Sequence, residues 1–496
     1  MIGMDASAQS VYESVYTVSV YNGSAWYRGV ANAEGGFDMV ARPLDPDSAD
    51  IYDTTLICTD SAGNEVMSVQ YNIPGSDAPA DLMTANGAAY LSSATSSTLS
   101  RTILMRLNGD RSVDWSMDLQ AIDSAGFEPY ALAEAADGSI LLANALHYDG
   151  VTAYPVIVKV DVDGSLVWAR KLSPDSGFVQ VLSVLGLPDG KIALAGRYFD
   201  GQGFSMLLVL LDPNGGFIRA MRYGNGISDP YNDVVIDPIH GLALVGSMDE
   251  NDGAPRGCVI RVDTMGIVHD AFKVGINVEG AYAFADSSIL LFTQSANYSN
   301  AHRISHDHVI MWSSEMDDFT GSGELLPHAE ASHFAFFAGD FSENLKVSTF
   351  TSQCVSCGTP GNLNEYLTDY TPSTSPLILN SEPLPILAVP INVTASEVTA
   401  TRMPNCTYTG QVELVEPVVG CSWNNSSRSI SITGLDREGS LEVRDAMGRL
   451  VGETWTMVES DDHWSAALLE PLSSGLYVAV VLRDGRRMNC PFVVSR

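Results

Sequence analysis

Three stretches settle the fold: VIVKVDVDGSLVWARKL from Val156, LLVLLDPNGGFIRAMRY from Leu207 and CVIRVDTMGIVHDAFKV from Cys258. Each reads as an apolar strand, an Asp, a Gly turn and a second apolar strand. Asp161, Asp212 and Asp263 are 51 apart (212 − 161 and 263 − 212), and Gly164, Gly215 and Gly266 keep the same interval. A fixed period in this range marks a repeat architecture whose units bury their apolar faces on one another.

Looser copies extend the pattern on both sides. A first unit has GGFDMVARPL and TTLICTDSAGNEVMSVQY, with Asp60, Gly63 and Met67 in the template positions. A second has TILMRLNGDRSVDWSMDL, where Asn108 and Gly109 are expected to hold the turn. The third, fourth and fifth carry DGSILLANAL, DGKIALAGRYFDG and HGLALVGSMDENDG. The sixth is weaker and places Asp307 and Trp312 on the template, and the seventh, from Ser332, has lost the Asp-Gly turn. Units of ~50 residues with about four strands have the size of a propeller blade. The expected fold is all-β: a seven-bladed β-propeller over residues 9–357, followed by a small immunoglobulin-like β-sandwich over 426–496. Residues 358–425, rich in Pro, Thr, Ser and Asn, read as an extended linker with strands that could close the ring. The strands IALAG and LALVG, small and apolar, are expected at the crowded wall of the channel.

The repeated Asp is expected to bond its own backbone two residues on, and the Gly to take a positive φ. The Trp or Met after the turn is expected to pack between blades. Asp161, Asp163 and Gly164 resemble the start of a calcium loop, but the later ligands of such a loop are missing, so the hairpin turn explains them.

Composition narrows the partners. With 26 Lys and Arg against 60 Asp and Glu, the formal net charge is −34. No surplus of cations exists to displace counterions from phosphates, which argues against nucleic acid. An acidic surface keeps an exported protein soluble and could collect Ca²⁺; no other cofactor is indicated. No run of 18 apolar residues offers a membrane span. Ala6-Ser7-Ala8 has the small-x-small form of a leader cleavage site, so residues 1–8 are expected to be the remainder of an export leader. Of the seven cysteines, Cys58 and Cys258 sit in apolar strands as buried thiols. Cys354, Cys357, Cys406 and Cys421 cluster after the repeats as disulfide candidates, and Cys354-x-x-Cys357 reads as a local disulfide replacing the lost turn.

Two resemblances follow from these residues. The repeats, over roughly residues 26–350, resemble a family of secreted bacterial propeller repeats with a Gly-Gly strand followed by x-K-x-D-x-x-G-x-x-x-W. The C-terminal stretch resembles the type A C-terminal sorting domain of the type IX secretion system of Bacteroidota. Its blocks are Leu441-Glu442-Val443-Arg444-Asp445, Gly448-Arg449-Leu450-Val451, Leu472-Ser473-Ser474-Gly475-Leu476-Tyr477 and Phe492-Val493-Val494, with Cys490 as a departure. That likeness implies export, an outer-membrane translocon as partner, and a secreted or cell-surface location. It assigns sorting-signal roles to Asp445, Gly448, Arg449, Gly475, Leu476 and Tyr477.

No catalytic residue is indicated. HExxH, GxSxG and a phosphate-binding Gly loop are all missing from the sequence. His302, His306 and His308 fall near the turn of the sixth unit, where surface histidines are expected, and His328 and His333 follow. The sequence therefore reads as a non-catalytic binding, adhesion or structural module. A glycan or protein ligand is expected at the irregular loops 45–53, 198–204, 248–257 and 294–308. The alternative is an extracellular hydrolase or lyase whose carboxylates converge only at the channel.

Overall fold

The computed structural model describes residues 11–494 apart from 19–27, 42–53, 74–76, 96–99, 123–125, 148–152, 202, 225–226, 250–255, 275–276, 295–297, 318–319, 328–332, 340–344, 352–358, 361–366, 370–371, 392, 398–399, 409–419, 425–428, 434–439, 446–450, 452–454, 461–462, 469–474 and 484–485. The chain divides into two units, 1–409 and 410–496. Residues 1–8 lie outside the described set.

The first unit is a β-propeller. Its described residues form seven five-stranded antiparallel sheets and contain no helix. We number the sheets by their inner strands: Arg28–Ala31, Asp77–Ala85, Gly126–Glu134, Phe178–Gly186, Ile227–Asp237, Asn277–Ala283 and Thr320–Pro327. Each inner strand packs on the next, and the seventh returns to the first, so the sheets close into a ring around a central channel. In the seventh sheet the fourth strand is Val11–Val18, from the N-terminal end of the chain. That pairing closes the ring.

The strands read as IALAG and LALVG lie second in their sheets, at Ile192–Phe199 and Gly241–Asp249, and do not line the channel. The reason is solvent. A second strand is covered on both faces by neighbouring sheets, so it is apolar throughout: Ile192 to Ala195 and Leu242 to Val245 are all buried. The innermost strand borders the channel and tolerates polar residues, as in DAPADLMTA.

The Asp-Gly element is a hairpin turn, as expected. Asp212 Oδ1 accepts the Asn214 and Gly216 N–H groups at 2.8 Å, and Asp263 repeats this with Met265 and Ile267. Gly63, Gly164, Gly215 and Gly266 all have positive φ. Asp161 and Asp163 accept from Val162 N–H and from Ser165, so their carboxylates serve the turn. The degenerate units differ from the expected register. In the second, Arg111 and not Gly109 takes the left-handed position, at φ 62°. In the sixth, Ser305 stands where the Asp would be and His308 takes the left-handed position, at φ 60°. Both side chains reach back to a carboxylate of the preceding sheet: Arg111 to Asp38 at 2.6 Å and His308 to Asp270 at 2.8 Å.

The turn glycine has a second duty between sheets. Trp115 donates its indole N–H to Val162 O, Arg170 donates to Asn214 O, and Tyr223 donates its hydroxyl to Gly266 O. Each donor sits on a fourth strand and each acceptor in the next sheet's turn. A Cβ added at Gly215 would lie 2.6 Å from Arg170 Cγ and 3.0 Å from the Trp168 ring. Gly215→Ala should therefore lower stability by about 1–3 kcal/mol, from left-handed strain and the clash together. Gly109→Ala, with ordinary φ and open space around it, should be near neutral. Equal thermal melts for the two variants would refute this account.

Residues 359–408, expected as an extended linker with strands that could close the ring, form a belt. They supply the fifth strand of every sheet, running backward around the rim. Thr359–Pro360 joins the sixth sheet, Thr368–Asp369 the fifth, Thr374–Leu377 the fourth and Leu379–Pro383 the third. Ile386–Pro390 joins the second, Thr394–Glu397 the first, and Ala400–Tyr408 pairs with Val11–Val18 in the seventh. Proline explains both the linker-like composition and the place of these strands. Pro376, Pro383 and Pro390 recur at intervals of 7 (383 − 376 and 390 − 383), one per sheet. An outermost strand needs ladder N–H groups on one side only, so proline is allowed there and blocks further pairing.

The described residues of the second unit form a four-stranded sheet and a three-stranded sheet, both antiparallel. The first contains Gly420–Asn424, Ser429–Thr433, His463–Leu468 and Trp455–Ser460. The second contains Ser440–Asp445, Gly475–Arg483 and Arg486–Val494. Gly420–Asn424 packs on Arg486–Val494, so the two sheets meet. Among the described residues no helix is long and apolar enough to cross a membrane.

Candidate functional site

Strand order separates the two faces of the ring. In the first six sheets the connections from first to second strand and from third to fourth are the tight Asp, Asn and Gly turns, and all leave at one face. Connections from second to third strand and from one sheet to the next leave at the other. Of the loops singled out in the sequence, 198–204 joins second to third strand of the fourth sheet at that second face. Loop 45–53 and most of 248–257 lie outside the described residues. The stretch 294–308 is not one loop: it contains the third strand Tyr298–Ile304 and then a tight turn of the opposite face.

The inner strands carry a shared irregularity. In six of them the pairing with the second strand slips, at 79/81, 129/131, 181/183, 228/232, 278/280 and 320/324. A bulge re-aims the side chain that follows it. Four residues before the first turn residue, the first six sheets hold Arg28, Asp81, Ala131, Ser183, Asp233 and Gly280, and in the second to sixth this position lies at or just after the slip. These residues form one tier at the channel wall.

The tier's carboxylates are bonded within the protein. Asp81 accepts the N–H of Leu132, in the next inner strand, at 2.5 Å and its own neighbour Leu82 at 2.8 Å. Asp233 accepts the Ser183 hydroxyl at 2.8 Å and the Val234 N–H at 2.7 Å. Burial pushes the Asp81 carboxyl up to about 6, against the opposing pull of the Arg28 charge and of the two N–H groups, and the like charge of Asp233 adds to the rise. Burial raises Asp233 as well, opposed by Ser183, Val234 N–H and Arg28. These carboxylates were not legible as a pair: 152 residues separate them (233 − 81), and only ring closure brings their strands to one channel.

Because the folded Asp81 pKa lies above its unfolded value, its protonated form supports the fold. That support is complete below about pH 4 and is lost as pH rises through about 6. Asp81→Asn should raise stability at pH 7.5 by about 1–2 kcal/mol and remove a component of the pH dependence between 4 and 6. Melting curves of the two proteins that stay parallel across this window would contradict the assignment.

Nearer the loop face, Tyr130, Gln180 and Arg197 form a chain. Arg197 Nε donates to Gln180 Oε1 at 2.8 Å, and Gln180 Nε2 donates to the Tyr130 hydroxyl at 3.2 Å. The Arg197 guanidinium lies over the Phe204 ring at 4.7 Å, and Phe199 packs on Phe204. Two aromatic rings and a guanidinium thus frame the 198–204 loop.

The histidines separate. His302 is a core residue and not a surface one: it is fully buried, bonded to Thr293 Oγ1 at 3.0 Å and Ser313 Oγ at 2.9 Å. Burial lowers its pKa to about 3, so it stays neutral. His306 is exposed and stacks on His240, which stacks in turn on His269. His328 lies outside the described residues, and His333 opens the strand His333–Gly339. No group of three or more His, Cys, Asp or Glu among the described residues is arranged to hold a metal ion.

Cys58 and Cys258 are buried free thiols, as read from their strands. Cys354 and Cys357 lie outside the described residues. Cys406 stands opposite Glu13 in the belt, and Cys421 opposite Ile432 in the second unit. In that unit Asp445 pairs with Tyr477, Tyr477 with Phe492 and Leu476 with Val493. Gly475 pairs with Val494, and Val451 N–H donates to Val443 O. The described parts of the first, third and fourth C-terminal blocks therefore lie on one three-stranded sheet. Gly448 and Arg449 lie outside the described residues.

No family model matches the chain, and no curated protein matches it. Among solved structures it is similar to the Dos1 propeller, with a TM-score of 0.45 and 11% identity over 68% of this chain and 95% of that one. A quinohemoprotein alcohol dehydrogenase of Pseudomonas putida gives 0.40 and 11%, over 68% and 77%. Dipeptidyl peptidase 4 of Porphyromonas gingivalis gives 0.38 and 9%, over 70% and 60%. The propeller itself rests on the sheet order and the closed cycle of inner strands.

Proposed function

We propose that this chain is an exported, non-catalytic binding module: a seven-bladed propeller, one blade per five-stranded sheet, that takes a glycan or protein ligand at its loop face. The observation that carries the reading is the partition of connections between faces. Short turns saturated by their own Asp and Asn side chains fill one face, leaving the other to the irregular loops and the channel mouth. There Phe199, Phe204, Arg197, Gln180 and Tyr130 supply the aromatic planes and fixed hydrogen-bonding groups that polar, flat-sided ligands such as sugars need. The test is a glycan and surface-polysaccharide array probed with the full-length chain. Arg197→Ala should weaken retention at least tenfold and Ile239→Ala, on the turn face, should leave it unchanged. The reverse pattern would defeat the reading.

Export belongs to the second unit in this proposal. The spacing and order of its four blocks, and the shared sheet of the described residues of three of them, support an immunoglobulin-like sorting domain read by an outer-membrane translocon, with a secreted or cell-surface destination. Deleting residues 426–496 should leave the protein in the periplasm, and normal secretion of the truncation would sink the idea. Disulfides among Cys354, Cys357, Cys406 and Cys421 fit that compartment; unreduced peptide mapping that finds all four as free thiols would exclude them.

A second reading has one specific observation in its favour. Asp81 and Asp233, both raised, share the channel tier, and paired carboxylates of shifted pKa suit a hydrolase or lyase. Against it, each already accepts hydrogen bonds from the protein, and Ser183 is committed to Asp233. Polysaccharide depolymerisation by the native chain, lost in Asp81→Asn and Asp233→Asn, would favour the enzyme.

A further inference from the structure

A cavity of about 800 Å³ opens between the fourth strands of the fourth and fifth sheets, where the belt crosses from one to the other. Its walls include Arg219 and Met221 from Phe217–Tyr223, and His269 and Asp270 from Val268–Val274. His308 and the belt residues Pro372 and Thr374 complete the outline. The volume falls in the range of small-molecule sites, about 300–1,000 Å³.

Arg219 sets this cavity apart. Other described arginines have partners: Arg101 has Asp118, Arg111 has Asp38, Arg222 has Asp200, Arg261 has Asp237 and Asp270, and Arg303 has Asp286. Arg219, by contrast, has no hydrogen bond or ion pair among the described residues. In a chain with more than twice as many acids as cationic side chains, a half-buried guanidinium left without a carboxylate is a place kept for an anion from outside.

The surrounding charges agree. Asp270 is the only carboxylate among the described residues of the wall, and it is already engaged by Arg261 at 3.0 Å and His308 at 2.8 Å. His269 faces the same space and adds a donor, its own nearest carboxylate being Asp263 at 3.9 Å. Met221, Val268, Ala271 and Pro372 give an apolar lining on which the body of a ligand can lie.

We propose that this inter-sheet cavity binds a compact oxyanion, a carboxylate, sulfate or phosphate on a small organic body, with Arg219 as its principal contact and His269 as the second. The site lies at the rim, away from the channel and loop face, so its fate is independent of the binding reading above.

The test is calorimetric titration of the full-length chain with glucuronate, glucose, glucose 6-phosphate and inorganic phosphate. At least one anion should bind with a Kd of about 1 mM or tighter, glucose should give no saturable heat, and Arg219→Gln should weaken the anion at least tenfold. His269→Gln should weaken it less. Arg219 has no structural partner to lose, so the folded state of Arg219→Gln is expected to be intact and is checked by its melting curve. Binding of an organic anion but not of inorganic phosphate would assign the organic body a share of the affinity; phosphate alone would identify the bare anion. Absence of binding by every anion, or equal affinity in wild type and Arg219→Gln, would overturn the proposal.

Discussion

Replacing residues 361–397 by a Gly/Ser stretch of equal length should abolish the soluble monomer or lower its melting temperature by about 10 °C or more. The substitution keeps the chain connected but removes five belt strands, those on the fifth, fourth, third, second and first sheets. Each of these sheets would then expose a fourth strand as an open edge, a ready template for pairing with another copy. The ladder bonds lost are each worth about 0.5–1.5 kcal/mol net. Two anchors would go with them: Leu379 and Val393 are buried in cores shared by adjacent sheets, each worth about 1.5–3 kcal/mol. The belt is also fixed by side chains, with Ser381 donating to Gly215 O at 2.7 Å and Ser116 donating to Ile391 O at 2.8 Å. Size-exclusion chromatography and thermal melting decide the matter. A monomer with unchanged melting temperature would show that the segment is a passive linker.

The second large effect is expected at Arg261. Its side chain is fully buried, an unusual place for a guanidinium, and it is held by two carboxylates and two carbonyls. Nε lies 3.2 Å from Asp237, itself 2% exposed, and Nη1 donates to Asp270 and to His306 O. Nη2 donates to Ser287 O at 3.1 Å, and the Phe272 ring lies beneath the guanidinium. The residue ties the fifth sheet to two turns of the sixth. Arg261→Met keeps much of the volume but strands Asp237 as a buried charge and orphans two carbonyls. Removing one partner of a buried pair costs about 3–5 kcal/mol, and that is the loss expected here. Arg261→Met with Asp237→Asn should recover about half, since the Asn oxygen can still accept the Ile239 and His240 N–H groups that Asp237 accepts now. Denaturant titration of the three proteins is the measurement. A single-variant loss under 1 kcal/mol would mean the ion pair is dispensable.

Some of this was legible from residues alone. The 51-residue interval of Asp and Gly forces a repeat, because each unit's apolar strands have no partner except the next unit. The turn chemistry followed from local rules: an Asp side chain bonds N–H groups two and four residues on, and only a residue content with positive φ can follow. Where those rules were relaxed, the register misled. Arg111 and His308 occupy the glycine position because each gains a carboxylate partner in the preceding sheet, a compensation that no local pattern displays.

The sequence by itself determined the repeated strand-turn-strand unit, the positions of most turns, the buried thiols Cys58 and Cys258, and the all-β character of both halves. Tertiary structure decided the rest. It turned a proline-rich stretch into a belt, because proline excludes a strand from the middle of a sheet but not from its outer edge. It moved the apolar IALAG and LALVG strands off the channel, because burial on both faces exists only between sheets. It brought Asp81, Ser183, Asp233 and Arg28 to one tier, and Arg219 to a cavity with His269. Those groupings arise from ring closure, which converts intervals of about fifty residues into contacts between side chains, and a linear spacing that is the same for every blade does not say which residues will face each other across it.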